Sequence, residues 1–229
     1  MGTARIRRIA VVAAPEKPEI DHRTIKLLVG LIAIFLPILT SWLAYPARLT
    51  SVSASYFEGD WPRSIFIGFL FAISAFLAAY NGHSKPEMIC SKVAAIAAFL
   101  IAMYPCGCNG NPEIVTGVHY TAAAVMFVVL AFFCGQFYRR AMDKGPGRAR
   151  TRAGVYAICG AIIVLSIALM ALNGALHFKF SEVHPRLVFW CEAAGLIAFG
   201  VSWLTASHAL PLINASHERF SPLRANNPP

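Results

Sequence analysis

Six apolar runs, each close to the length of a bilayer crossing, constrain this chain more than any other feature: residues 26–45, 64–81, 88–105, 118–138, 154–176 and 187–206. A helix crosses the hydrocarbon core with about 20 residues, so the runs predict an all-α polytopic membrane protein, a bundle of six transmembrane helices. Composition agrees. With 57% hydrophobic and 14% charged residues and a mean hydropathy of +0.59, a chain of 229 residues is too apolar for a soluble domain of that size.

The third run is the shortest in strictly apolar residues, Val93 to Tyr104, and Lys92 has to snorkel towards water there. Its start is well marked. Ser84-Lys85-Pro86-Glu87 supplies an N-cap serine, a proline in the first turn and a glutamate three residues after the cap, the pattern of a capping box.

Orientation follows from lysine and arginine in the short connections. Sixteen of the twenty basic residues fall on the side of the N-terminus, and only Arg48, Arg63, Lys179 and Arg186 on the other. That predicts both termini in the cytoplasm, and a multi-pass protein of the cell inner membrane is the expected setting. The net charge of +9 is then the positive-inside pattern and excludes a nucleic-acid partner. Arg139-Arg140 and Arg148-Ala149-Arg150-Thr151-Arg152 form a juxtamembrane basic loop suited to anionic headgroups, so membrane lipids are the expected partners, together with a protein partner or a second copy of the chain.

Residues 1–24 read as a basic cytoplasmic segment without a cleavable signal, 25–207 as one six-helix domain, and 208–229 as a disordered cytoplasmic tail. Small residues such as Ala94, Ala97, Ala98, Gly195 and Gly200 mark close helix approaches, and Pro37 should kink the first crossing. Cys159, Ser166 and Asn173 recur every seven residues, an inward polar stripe.

Glu192 is the only acidic residue inside any long apolar run. An ionisable group in hydrocarbon costs a few kcal/mol at least, so it must face a protein interior or a water-filled cavity. It shares a helix stripe with Phe189, Gly195, Leu196, Phe199 and Trp203, roughly 8 Å inside the external boundary at 1.5 Å per residue. His119, His177, His184 and the external loop residues Ser53, Ser55, Tyr56, Glu58, Asp60 and Arg63 lie towards the same face. The expected pocket is Glu192, His119, Ser53, Ser55, Tyr56, Asp60 and Arg63. A buried structural contact, a ligand site and a proton-coupled role all remain open for Glu192. No His-Glu-x-x-His, no paired histidines within a crossing and no nucleophile elbow names a reaction, a metal or a cofactor.

Cys106-Gly107-Cys108 sits at the external end of the third crossing, where a disulfide is permitted. Pairing of the two would close a very small ring, so Cys191 is a competing partner for either.

Ser53-Ala54-Ser55-Tyr56-Phe57 followed by Arg63-Ser64-Ile65-Phe66-Ile67-Gly68, then Tyr104-Pro105-Cys106-Gly107-Cys108, Val118-His119-Tyr120-Thr121-Ala122, and finally Glu192-Ala193-Ala194 with Ala198-Phe199-Gly200-Val201-Ser202-Trp203-Leu204, resemble an uncharacterised family of bacterial multi-spanning membrane proteins. That resemblance implies the six-crossing architecture and no activity. A looser likeness is to six-crossing proteins of the damage-regulated autophagy modulator type. Hydrolases related to alkaline ceramidase share the Ser, Asp and His content, but their paired late histidines are missing. The expected function is a non-enzymatic lipid- or small-ligand-binding protein, or an assembly subunit, with an externally facing polar pocket. A membrane-embedded, metal-dependent hydrolase and a small proton-coupled transporter are the alternatives.

Overall fold

Short polar side chains write several helix starts in this chain. In the computed structural model, which describes residues 21–175, 183–214 and 220, Asp21 caps α1 (His22–Leu43): its carboxylate accepts from the Arg23 amide at 2.9 Å and the Thr24 hydroxyl at 2.6 Å. Ser84 caps α3 (Lys85–Met103) by accepting from the Glu87 amide at 3.4 Å. Glu87 returns a bond, but to the His83 amide at 3.2 Å, one residue before the cap. Gly117 precedes α4 (Val118–Asp143) with φ of +80°, a left-handed backbone that glycine adopts without cost, and its amide is held by Glu113 Oε2 at 2.7 Å.

The remaining helices are α2 (Asp60–Ala79), α5 (Arg148–Ala175) and α6 (Leu187–Ala206), with a 3-10 turn at Ser53–Phe57. All six long helices are apolar and long enough to cross a membrane. Where the sequence marks hydrocarbon at 26–45 and 154–176, the helices begin earlier, at His22 and Arg148, because cation-bearing first turns continue the helix into the polar interface.

Each helix packs against its neighbours in the chain, α6 returns to α1, and the six close into a ring with α4 approaching α6 across the middle. Glycine sets that closure. A Cβ on Gly200 would fall 2.6 Å from the Gly30 carbonyl oxygen, so α6 meets α1 at near-backbone contact, and one on Gly195 would fall 2.4 Å from the Phe127 ring, which seats that side chain of α4 against α6. Hydroxyls add to the helix pairing: Ser91 donates to the Leu77 carbonyl at 2.6 Å and Ser74 to the Ala95 carbonyl at 2.8 Å, tying α3 to α2. Of the seven-residue stripe on α5, Cys159 and Ser166 are buried and Asn173 is partly so.

The ring's interior is aromatic towards one end. Trp203 is fully buried with Tyr80, Phe133, Phe137 and Phe199 around it at centroid distances of 5.1–6.1 Å. Outside, Phe35, Trp42, Ile96, Val128, Ile158, Leu165 and Trp190 are exposed. Water would penalise that surface, and a lipid solvent does not.

The starts of α1, α3 and α5 and the ends of α2, α4 and α6 share one end of the bundle, the basic end; the 3-10 turn and the start of α6 lie at the other, the loop end. At the basic end Lys92 reaches the α2 C-terminus, donating to the carbonyls of Ala78 and Tyr80 and to Asn81 Oδ1. A cation at a helix C-terminus satisfies orphan carbonyls, so the lysine has a structural partner rather than only a route to water. Residues beyond α6 fold back there: Asn214 is buried, and the Phe220 amide donates to the His208 carbonyl at 3.1 Å. His177 and Lys179, like most of the basic N-terminal segment and the rest of the tail, lie outside the described residues.

Candidate functional site

The 3-10 turn Ser53–Phe57 starts at Val52, whose own side chain offers its amides nothing. Helix starts leave N–H groups without partners, and here α6 supplies one acceptor. Glu192 Oε2 accepts from the Val52 amide at 2.5 Å, while Ser51 Oγ accepts from the Ala54 amide at 2.9 Å. The side-chain oxygen therefore caps the turn from another helix. Neighbouring bonds strap the same segment down: the Phe189 amide donates to the Thr50 carbonyl at 2.9 Å, and Arg186 Nε to the Leu49 carbonyl at 3.2 Å.

Ser53 links Glu192 to His119. Its Oγ lies 3.4 Å from Glu192 Oε1 and 3.2 Å from His119 Nε2, and His119 Nδ1 lies 2.7 Å from the Tyr104 carbonyl. A carbonyl only accepts, so Nδ1 carries a hydrogen. The remaining hydrogens can then be counted. With His119 neutral, Ser53 donates to Nε2 and a protonated Glu192 donates to Ser53. With His119 cationic, Nε2 donates to Ser53 and Ser53 donates to the Glu192 carboxylate. Each of these holds one proton shared by the acid and the base. Without it one acceptor is left bare, and with two the serine hydrogen has no acceptor. Moving between the two satisfied arrangements shifts one proton along each link, so the trio has the connectivity of a proton relay. Both contacts are longer than the usual optimum, which leaves the serine free to rotate between them.

The sequence-derived pocket divides. Glu192, Ser53 and His119 converge, and Ser55 lies beneath them, fully buried, with its hydroxyl on the Val52 carbonyl at 2.6 Å. Tyr56 and Arg63 instead pair with each other: the Arg63 guanidinium covers the Tyr56 ring at 5.3 Å and its Nε donates to the Tyr56 carbonyl. Asp60 opens α2, is exposed, and accepts the Ser64 hydroxyl on its carbonyl at 2.8 Å. Cys106 and Cys108 form a disulfide, and Cys191 is a free, buried thiol. Among the described residues no three His, Cys, Asp or Glu side chains gather to hold a metal ion.

Beside the relay, a groove of about 630 Å³ runs between α1 and α6, lined chiefly by Pro37, Ile38, Trp42, Tyr45, Trp190 and Ile197. Phe189 and Ala193, which flank Glu192 on α6, form part of its wall. At its rim the Arg186 guanidinium stacks on Phe189 at 4.4 Å and Trp190 at 5.1 Å and reaches Ser41 Oγ at 3.4 Å.

A second carboxylate at the basic end escaped the sequence reading except as a capping residue. Glu87 is 1% exposed and ion-paired with Arg140 of α4, and His83 Nδ1 lies 3.8 Å away. Gly82 allows this fit. Its φ is +66°, and a Cβ there would lie 2.5 Å from Glu87 Cβ. No spacing rule announces the pair, because Glu87 and Arg140 are brought together only by the packing of α3 on α4.

No protein-family model matches this chain, and neither a curated protein nor a solved structure shows significant similarity to it.

Proposed function

We propose that the chain is a non-catalytic multi-pass protein of a bacterial inner membrane, with both termini cytoplasmic, that holds a lipid or similar amphiphile at its loop end. The observation that carries this reading is the groove between α1 and α6. Its walls are apolar, and its polar groups sit at the rim, where Arg186 is stacked over Phe189 and Trp190. An acyl chain fits the walls and an anionic headgroup fits the cation. The Glu192, Ser53 and His119 trio lies behind one wall and fixes the first loop against α6 and α4. In this reading it is the latch that keeps the rim in place. Native mass spectrometry of the detergent-extracted protein tests it. Wild type is expected to retain lipid; Ile38→Trp, which fills the groove from a half-exposed position, is expected to lose it. Equal retention by both proteins counts against the groove.

One observation favours a second reading as a hydrolase: Ser53 Oγ faces His119 Nε2, and the ring is oriented through Nδ1 by a carbonyl, the relation a serine nucleophile has to its base. Two features weigh against it. Ser53 is 7% exposed, and the carboxylate touches the serine instead of the histidine's other nitrogen. Labelling by a fluorophosphonate probe that disappears in Ser53→Ala would establish the enzyme; no labelling of wild type leaves the binding role. The buried aromatic cluster around Trp203 lies between the relay and the basic end and weighs against a continuous transport path.

A further inference from the structure

Lys26 occupies an unusual position for a lysine. It is 5% exposed on α1, its ammonium lies 5.6 Å from the centroids of Tyr80 and Phe137, and no hydrogen-bond acceptor or carboxylate is paired with it among the described residues. Aromatic faces attract a cation but do not replace the hydrogen bonds its three donors lose on leaving water. The ammonium borders a cavity of about 170 Å³ at the basic end.

That cavity is lined by four basic side chains, Lys26 of α1, Arg140 of α4, Lys144 just beyond the end of α4 and Arg152 of α5, with His83, His208 and Tyr156 also in the wall. Among the described residues, the carboxylate ion-paired with a side chain of this wall is Glu87, which is engaged by Arg140 and by the His83 amide. Two of the cations are held in place. Arg152 is 3% exposed and donates to Asn214 Oδ1 at 3.0 Å; Arg140 is fixed by Glu87 and lies over the Phe137 ring at 5.1 Å. Lys144 is exposed and stands at the mouth. Positive charge thus converges from several directions on a space too small for a drug-sized ligand, which needs about 300 Å³ or more. Two positioned guanidinium groups suit a tetrahedral oxyanion better than a point-like halide.

We propose that this cavity binds a phosphoryl group, carried either by inorganic phosphate or by a phosphomonoester lipid headgroup. The site lies at the opposite end of the bundle from the α1 and α6 groove and does not depend on that reading. It also differs from surface attraction to the basic loop, because Lys26 is buried and lies outside that loop.

The test uses the full chain in phosphatidylcholine nanodiscs. One arm adds inorganic phosphate and reads the melting temperature; the other includes phosphatidic acid and reads lipid retained after delipidation. A response in the first arm assigns free phosphate, and a response in the second alone assigns the lipid headgroup. Lys26→Met is expected to weaken whichever response occurs by about tenfold or more, Lys26→Arg to restore part of it, and Arg139→Gln with Arg150→Gln, both exposed and outside the cavity, to leave it unchanged. Lys26→Met keeps the length of the side chain, and its unliganded melting temperature reports folding separately. No response of wild type in either arm overturns the proposal, as does a response that Lys26→Met retains in full or that the loop variants abolish.

Discussion

Glu87 and Glu192 are both carboxylates withdrawn from water, at opposite ends of one ring of helices, and their surroundings differ in kind. Glu87 faces Arg140 directly, with the cations of the basic cavity beyond it. Glu192 faces a backbone amide and a serine hydroxyl, and that serine bridges it to His119. The first site needs a charge. The second needs one proton and a set of hydrogen bonds, and an amide can stand in for most of them. Burial alone therefore does not say what a carboxylate in a membrane bundle is for; the number of fixed opposite charges around it does.

The largest effect should come from Glu87→Gln. It removes the charge from a nearly closed ion pair and leaves Arg140 among Lys26, Lys144 and Arg152, so a loss of about 3 kcal/mol in unfolding free energy is expected, discounted from the fully buried case because Arg140 is partly exposed. Thermal or denaturant unfolding in a fixed detergent measures it; a loss below about 1 kcal/mol would show that solvent already screens the pair. Next comes His119→Phe, which keeps the ring but strands the Tyr104 carbonyl and one bond of Ser53, for about 2 kcal/mol. The same variant should speed exchange of the Val52 and Ser53 amides, and unchanged exchange would break the link drawn between His119 and the loop.

The legible and illegible parts of this molecule follow the same division. Long apolar runs reveal α6 to the residue, because hydrocarbon leaves no other way to satisfy the backbone over 187–206. Glu192 was visible for the same reason: a lone acid stands out against an apolar stripe. Its convergence with Ser53 and His119 was foreseeable as a shared face, since all three lie towards one side of the membrane by topology. The exclusion of Asp60 and Arg63 was not, because it depends on Arg63 stacking on Tyr56 and on the exposed start of α2. Glu87 and Lys26 were hidden by their positions at the polar ends of helices, where charge is ordinary. Only the closing of α1, α4, α5 and α6 around one space, with Glu87 of α3 on Arg140, makes them unusual.

Two smaller effects sharpen the contrast. Lys26→Met should leave the unliganded protein as stable as wild type or more stable by up to about 1 kcal/mol, since it removes a buried basic group that has no carboxylate paired with it among the described residues. A clear loss of stability would mean that the aromatic contacts with Tyr80 and Phe137 outweigh the desolvation of the ammonium. Glu192→Gln should be the mildest of the acid replacements, at about 1 kcal/mol or less, because the amide oxygen still accepts from Val52 and the amide nitrogen still donates to Ser53.

The central claim is that one buried carboxylate is held by charge and the other by hydrogen bonds. The most direct measurement is the unfolding of Glu87→Gln and Glu192→Gln side by side, in one detergent and at one pH. The account predicts that Glu87→Gln loses at least about 2 kcal/mol more than Glu192→Gln. Equal losses, or a larger loss for Glu192→Gln, would contradict it.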